Sequence, residues 1–97
     1  LVLREHCATA ERYLQAAQQA LQDQQTPALL QAVHSLRSSS RQLGAFAIGD
    51  LSAQAELLCQ STPLPTAVLE SLLHQLCTQQ RAFCASIHSL VPTENAP

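Results

Sequence analysis

His34 is followed by Ser35, Leu36, Arg37, Ser38, Ser39 and Ser40, and then by Gly44 and Ala45. On a helix each residue advances about 100°, so His34 shares one stripe with Leu30, Arg37, Ser38 and Arg41, while Leu29, Val33, Leu36, Ser40 and Leu43 lie opposite. The imidazole then faces water beside two guanidinium groups. An ordinary histidine, with a pKa near 6.5, is mostly neutral at neutral pH and needs no activating base to attack a phosphoryl group. The product carries about two negative charges, which Arg37, three residues on, and Arg41, seven residues on, can offset from the same stripe. No acidic residue lies between Asp23 and Asp50, so a positive field is expected around His34 in a chain of net charge -2. Such a field would steer an acidic partner surface toward the ring.

Positioning this stripe requires helices, and the composition supplies them. The chain has 97 residues, 46% of them hydrophobic but only 3% aromatic, a balance rich in Leu, Ala and Gln that favours helix over strand. One domain with one core is the expectation, burying roughly 60 to 65% of the unfolded surface. Apolar residues at Leu3, Cys7, Ala10, Leu14, Ala17 and Leu21 alternate steps of four and three, predicting a bundle helix over about Leu3 to Asp23. Thr26 and Pro27 start a second helix, with threonine as the cap and proline in the first turn. It should run to about Leu43 and stop at Gly44, which supplies a left-handed turn. A third helix carries Ala45, Ile48, Leu51, Ala55 and Leu58 on one side. Gly49 costs about 1 kcal/mol in a helix interior, which makes its first turn doubtful and allows a start as late as Asp50. Pro63 and Pro65 mark a loop over Ser61 to Thr66. The fourth helix, about Pro65 to Leu90, has its apolar face at Leu69, Leu72, Leu73, Leu76, Phe83 and Ile87, diluted by Gln79 and Gln80. Short loops favour antiparallel neighbours, so the fold class expected is all-α, an antiparallel up-down four-helix bundle over residues 1–91, with a frayed tail over 92–97.

The residues His34, Leu36, Ser39, Ser40, Gly44 and Ala45 resemble the signature of histidine-containing phosphotransfer (HPt) domains, in which a histidine is followed by x-Leu-Lys-Gly-Ser-Ser/Ala and, after three more residues, Gly-Ala/Leu. Arg37 replaces the lysine with charge retained. Ser38 departs from the pattern, standing where the family has glycine; it should narrow access slightly or offer its hydroxyl to the phosphate. Ser39 and Ser40 point sideways and inward, and their expected role is close packing of neighbouring helices. The motif spans about 25 residues, from Ala32 to Glu56. The resemblance implies a relay without kinase or phosphatase machinery: a receiver domain bearing a phosphoaspartate docks on the helix, passes its phosphoryl group to His34, and another receiver takes it away. It implies no cofactor and no metal in this chain, magnesium belonging to the receiver. The expected docking set is Leu30 as apolar contact with Gln31, Ser35, Ser38 and Arg41 as polar surround, together with Gly44. A transient interface under about 1,200 Å² suits a relay that must release its partner.

Other classes fare worse. Only five Lys and Arg leave no basic face for nucleic acid. No apolar run reaches the 18 or so residues needed to span a bilayer, and no signal-peptide pattern opens the chain; no direct membrane contact is expected. The chain begins at Leu1 without a methionine and is read as a piece of a longer or processed protein, free-standing or from a membrane-anchored sensor kinase. Cys7, Cys59, Cys77 and Cys84 sit at apolar helical positions without a Cys-x-x-Cys pair and are read as reduced core thiols in a cytoplasmic, monomeric domain. His74 with Cys77 and Cys84 with His88 have metal-ligand spacing, but about 21 Å of helix separates His74 from His88, so one ion cannot use all four. His6, beside Cys7, suggests no role. A kinase or phosphatase would need a glycine-rich nucleotide loop or paired carboxylates, which are absent. The competing reading is an adaptor bundle that binds receivers without accepting phosphate, and Ser38 is its specific support.

Overall fold

The seam of the first helix closes as its spacing requires. Ala10, Leu14, Ala17 and Leu21 are buried on α1, which spans Val2–Gln22. The computed structural model describes residues 2–90, with side chains over 4–87, so Leu3 as a core residue and the expected fraying of 92–97 lie outside the described residues. Three more helices follow: α2 (Thr26–Gln42), α3 (Phe46–Leu58) and α4 (Thr66–Leu90). α1 packs on α2 and α4, and α3 on the same two, while neither diagonal pair meets among the described residues. That is the ring of an antiparallel up-down bundle, with the core of Leu14, Leu29, Val33, Leu36, Leu69, Leu73 and Leu76 along its axis.

The turns hold two findings. At the end of α1, Gln24 takes a left-handed φ of 57°, with Gln24 N–H donating to Leu21 O at 3.2 Å and Gln25 N–H to Ala20 O at 2.8 Å. At the end of α2, Gly44 does the same with φ 80°, and Gly44 and Ala45 donate to Arg41 O and Ser40 O. Both ends satisfy their last carbonyls by the same closure, but the second uses the residue that adopts this φ without steric cost. Thr26 is the first helical residue of α2 rather than its cap. The cap position falls to Gln25, which makes no side-chain capping bond.

Two further expectations are corrected and one holds. α3 begins at Phe46 and continues through Gly49, because the glycine serves the close approach of α2 and α3 described below. Gln80 does interrupt the apolar face of α4: it is 1% exposed and donates its amide to Cys84 Sγ at 3.2 Å. Cys7 and Cys84 are not reduced core thiols: they form a disulfide between α1 and α4, with their Cα atoms 6.0 Å apart. Cys59 and Cys77 are free.

Candidate functional site

The outward stripe of α2 carries His34, and its side chain is 51% exposed. Val33 and Leu36, on either side in sequence, are turned into the core, so their packing fixes the rotation of the helix and aims the ring outward. The partner that orients the ring comes from α3. Glu56 Oε1 lies 3.0 Å from His34 Nδ1, and the carboxylate is only 14% exposed. Arg37 Nε lies 3.2 Å from the same oxygen, and Arg37 Nη2 is 3.3 Å from His34 Nδ1.

These contacts cannot all be hydrogen bonds at once. A neutral imidazole has one N–H, and a guanidinium only donates. The carboxylate contact is the shorter and the charge-assisted one, so chemistry assigns the proton to Nδ1, donating to Glu56. Arg37 is then ion-paired through Nε with the same oxygen, and its Nη2 is a nearby charge rather than a bonded donor. Nε2 of His34 is left with its lone pair directed away, and no hydrogen bond engages it among the described residues. In the neutral ring, a nitrogen with a free lone pair on a half-exposed side chain can act as a nucleophile toward phosphorus.

The expected positive field is not there. Arg37 is paired with Glu56, and Arg41 faces Asp50 at 3.8 Å. Both acids lie on α3, so a stretch free of acids along the sequence is nonetheless lined by them across the helix seam. The Arg41–Asp50 pair is exposed and long, which makes it weak and easily screened.

The remaining expected site residues divide. Gln31 donates to Ser35 at 3.3 Å, one turn away on the exposed surface of α2. Ser38 is exposed, one turn beyond His34. Leu30 is half-buried and packs against the core, so only part of it is offered to a partner. Arg41 is directed toward Asp50 rather than toward the ring. Gly44 lies beyond the end of α2, roughly 15 Å along the axis from His34 at 1.5 Å per residue, and is not brought to the site. Ser40 is fully buried, as its phase requires. Ser39 does more than pack, since its hydroxyl meets His6 Nδ1 at 2.8 Å.

Glu56 is the partner of His34 and Arg37 that motif spacing does not flag. A signal exists: Asp50 and Glu56 are the only charges in α3. In an antiparallel pairing of α2 with α3, the later cation meets the earlier acid, and Arg41 with Asp50 and Arg37 with Glu56 follow that order.

A family model for the Hpt domain matches residues 2–83. The chain is an Hpt domain. No curated protein and no solved structure matches it. Hpt domains are helical phosphotransfer modules of phosphorelays that interact with receiver domains and have no kinase activity of their own. The match spans α1, α2, α3 and most of α4, so it takes in both the stripe of His34 and the helix that supplies Glu56.

Proposed function

We propose that His34 is the phosphoryl acceptor of this Hpt domain, taking the group from a phosphoaspartate of one receiver and passing it to an aspartate of another. The observation that carries this reading is the pairing of Nδ1 with Glu56 on a half-exposed side chain, which in the neutral ring puts the lone pair on Nε2. In the forward step the Nε2 lone pair forms the N–P bond, the P–O bond to the aspartyl oxygen breaks, and the carboxylate departs with that electron pair. The second receiver reverses the exchange. Glu56 holds the ring in the reactive tautomer and takes up the positive character that develops on it. Arg37 keeps its Nη hydrogens for the phosphoryl oxygens while Nε remains on Glu56. Ser38 faces the incoming group, and magnesium is supplied by the receiver.

Docking uses the exposed strip around the ring, with Gln31, Ser35, Ser38 and the exposed part of Leu30, and Arg41 at its edge. The working unit is a cytoplasmic monomer that engages neither nucleic acid nor a membrane. No helix among the described residues is long and apolar enough to cross one.

The test is incubation with a phosphorylated receiver. Wild-type protein should acquire acid-labile, base-stable phosphate, and His34→Gln should acquire none. Equal labelling of the variant would overturn the assignment. Receiver binding without any transfer to the wild type would favour the adaptor reading, for which Ser38 in place of glycine is the specific support.

A further inference from the structure

Away from the His34 strip, reactive groups converge on the seam between α1 and α4. Cys7 and Cys84 are joined there, and both are only partly buried. They line a surface groove together with Arg4, Glu11, Gln80 and Arg81. Gln80, a buried side chain, aims its amide N–H at Cys84 Sγ from 3.2 Å. When the sulfurs separate, the same amide is placed to donate to a thiolate on Cys84, in a groove that Arg81 and Glu11 line with opposite charges. At the two remaining thiols burial is the larger influence and pushes both Cys59 and Cys77 up, with Arg81 and Gln18 opposing it in part at Cys77.

We propose that Cys7 and Cys84 form a reversible thiol–disulfide exchange site that reacts with small disulfides and thiols of the glutathione type, rather than a permanent cross-link. The reversibility rests on the phosphorelay reading, which puts the chain in a reducing compartment, where protein disulfides are mostly transient. In oxidation, the Cys84 thiolate attacks one sulfur of the small disulfide and expels the other half as a thiolate. The Cys7 thiolate then attacks Cys84 Sγ in the mixed disulfide and releases the second half. Two protein thiols lose two protons and two electrons, and one small disulfide becomes two small thiols. Excess small thiol runs the same steps backward.

The site is coupled to the phosphotransfer helix by its neighbours in sequence. His6 precedes Cys7 and Phe83 precedes Cys84, and their rings meet edge to face with centroids 6.0 Å apart. His6 Nδ1 also shares a hydrogen bond with Ser39 of α2 at 2.8 Å. The disulfide therefore clamps the stretch of α1 that touches the helix carrying His34.

The experiment equilibrates the full chain in buffers of oxidised and reduced glutathione, then traps free thiols with a maleimide and maps them by mass. Labelling of Cys7 and Cys84 should fall together by at least about tenfold in the oxidised buffer and return in excess reduced glutathione, with Cys59 and Cys77 unchanged. In Cys7→Ser, which lacks the resolving thiol, Cys84 should end as a stable mixed disulfide with glutathione. Two results would overturn the proposal: Cys7 and Cys84 labelled at every ratio, or a bond that excess reduced glutathione fails to open in the folded protein. Phosphoryl labelling of His34 is measured in both redox forms. If it fails in both while the thiol exchange proceeds, the relay reading falls and the exchange chemistry stands.

Discussion

The stem of Arg41 on α2 lies across Gly49 on α3, so close that a Cβ built on the glycine would stand 2.9 Å from Arg41 Cγ. By propensity alone Gly49 weakens its helix by about 1 kcal/mol. Its missing side chain instead leaves room for the arginine to pass over and reach Asp50. The same seam, further along, brings Glu56 to His34.

Gly49→Ala should therefore be nearly neutral. The gain in helix propensity, about 1 kcal/mol, is offset by displacement of a flexible arginine stem and loss of a weak exposed pair. Gly49→Leu has no such outlet at a buried position and should cost about 1 to 3 kcal/mol. Urea midpoints of the two variants give the comparison, and equal destabilisation by alanine and leucine would contradict it.

Removing Glu56 should damage transfer more than binding. In Glu56→Ala the ring loses the acceptor that keeps its proton on Nδ1, and the transfer rate should fall about tenfold, equivalent to roughly 1.4 kcal/mol in the barrier. Glu56→Gln retains an oxygen that accepts from Nδ1–H and should lose less. Ring ¹⁵N shifts report the tautomer directly and should move in the alanine variant while receiver affinity holds. An alanine variant that transfers at the wild-type rate with the tautomer unchanged would show that Glu56 does not position the ring.

His6 should make the fold sensitive to mild acid. Burial lowers its pKa below the ordinary 6.5, and its Nε2 is buried without a hydrogen-bond partner among the described residues. Well above pH 6.5 the ring is neutral folded and unfolded, and it contributes no pH dependence. As pH falls through 6.5 the unfolded chain binds the proton that the folded ring resists, so stability declines until the folded ring titrates too. His6→Leu should remove this contribution, and urea midpoints from about pH 7 to about pH 5 should diverge between wild type and variant. Parallel curves would count against it.

Two buried serines should respond in opposite directions. Ser40 Oγ has no hydrogen-bond partner among the described residues, whereas Ser52 donates to Ile48 O at 2.8 Å. Ser40→Ala removes an unsatisfied hydroxyl and should leave stability unchanged or raise it by about 1 kcal/mol, while Ser52→Ala should lower it by about 1 kcal/mol. Chemical denaturation of both distinguishes them, and a clear loss in Ser40→Ala would mean that its hydroxyl has a partner.

Helical phase made the direction of His34 readable, because Val33 and Leu36 demand the core and leave the histidine no inward position. The bundle was readable for the same reason, from Leu14 to Leu76. Phase says nothing about which residues meet across a seam. Glu56 lies 22 residues beyond His34, and their meeting depends on the rotation and register of α3, which no local pattern states. Cys7 fits the apolar seam of α1 and Cys84 fits α4, so neither betrays a bond closed across 77 residues. Gly49 misled because propensity measures an isolated helix, not one whose neighbour needs the space. His6 looked idle because its partners, Ser39 and Phe83, are far away in sequence.

The carboxylate behind His34 is borrowed from a different helix, so on the proposed role of Glu56 reactivity becomes a gauge of lateral spacing between two rods. A swollen, molten form could keep its far-ultraviolet circular dichroism intact and still be chemically silent. Competence in this protein should be assayed by the imidazole itself, since helix content would report health after the nucleophile had been lost.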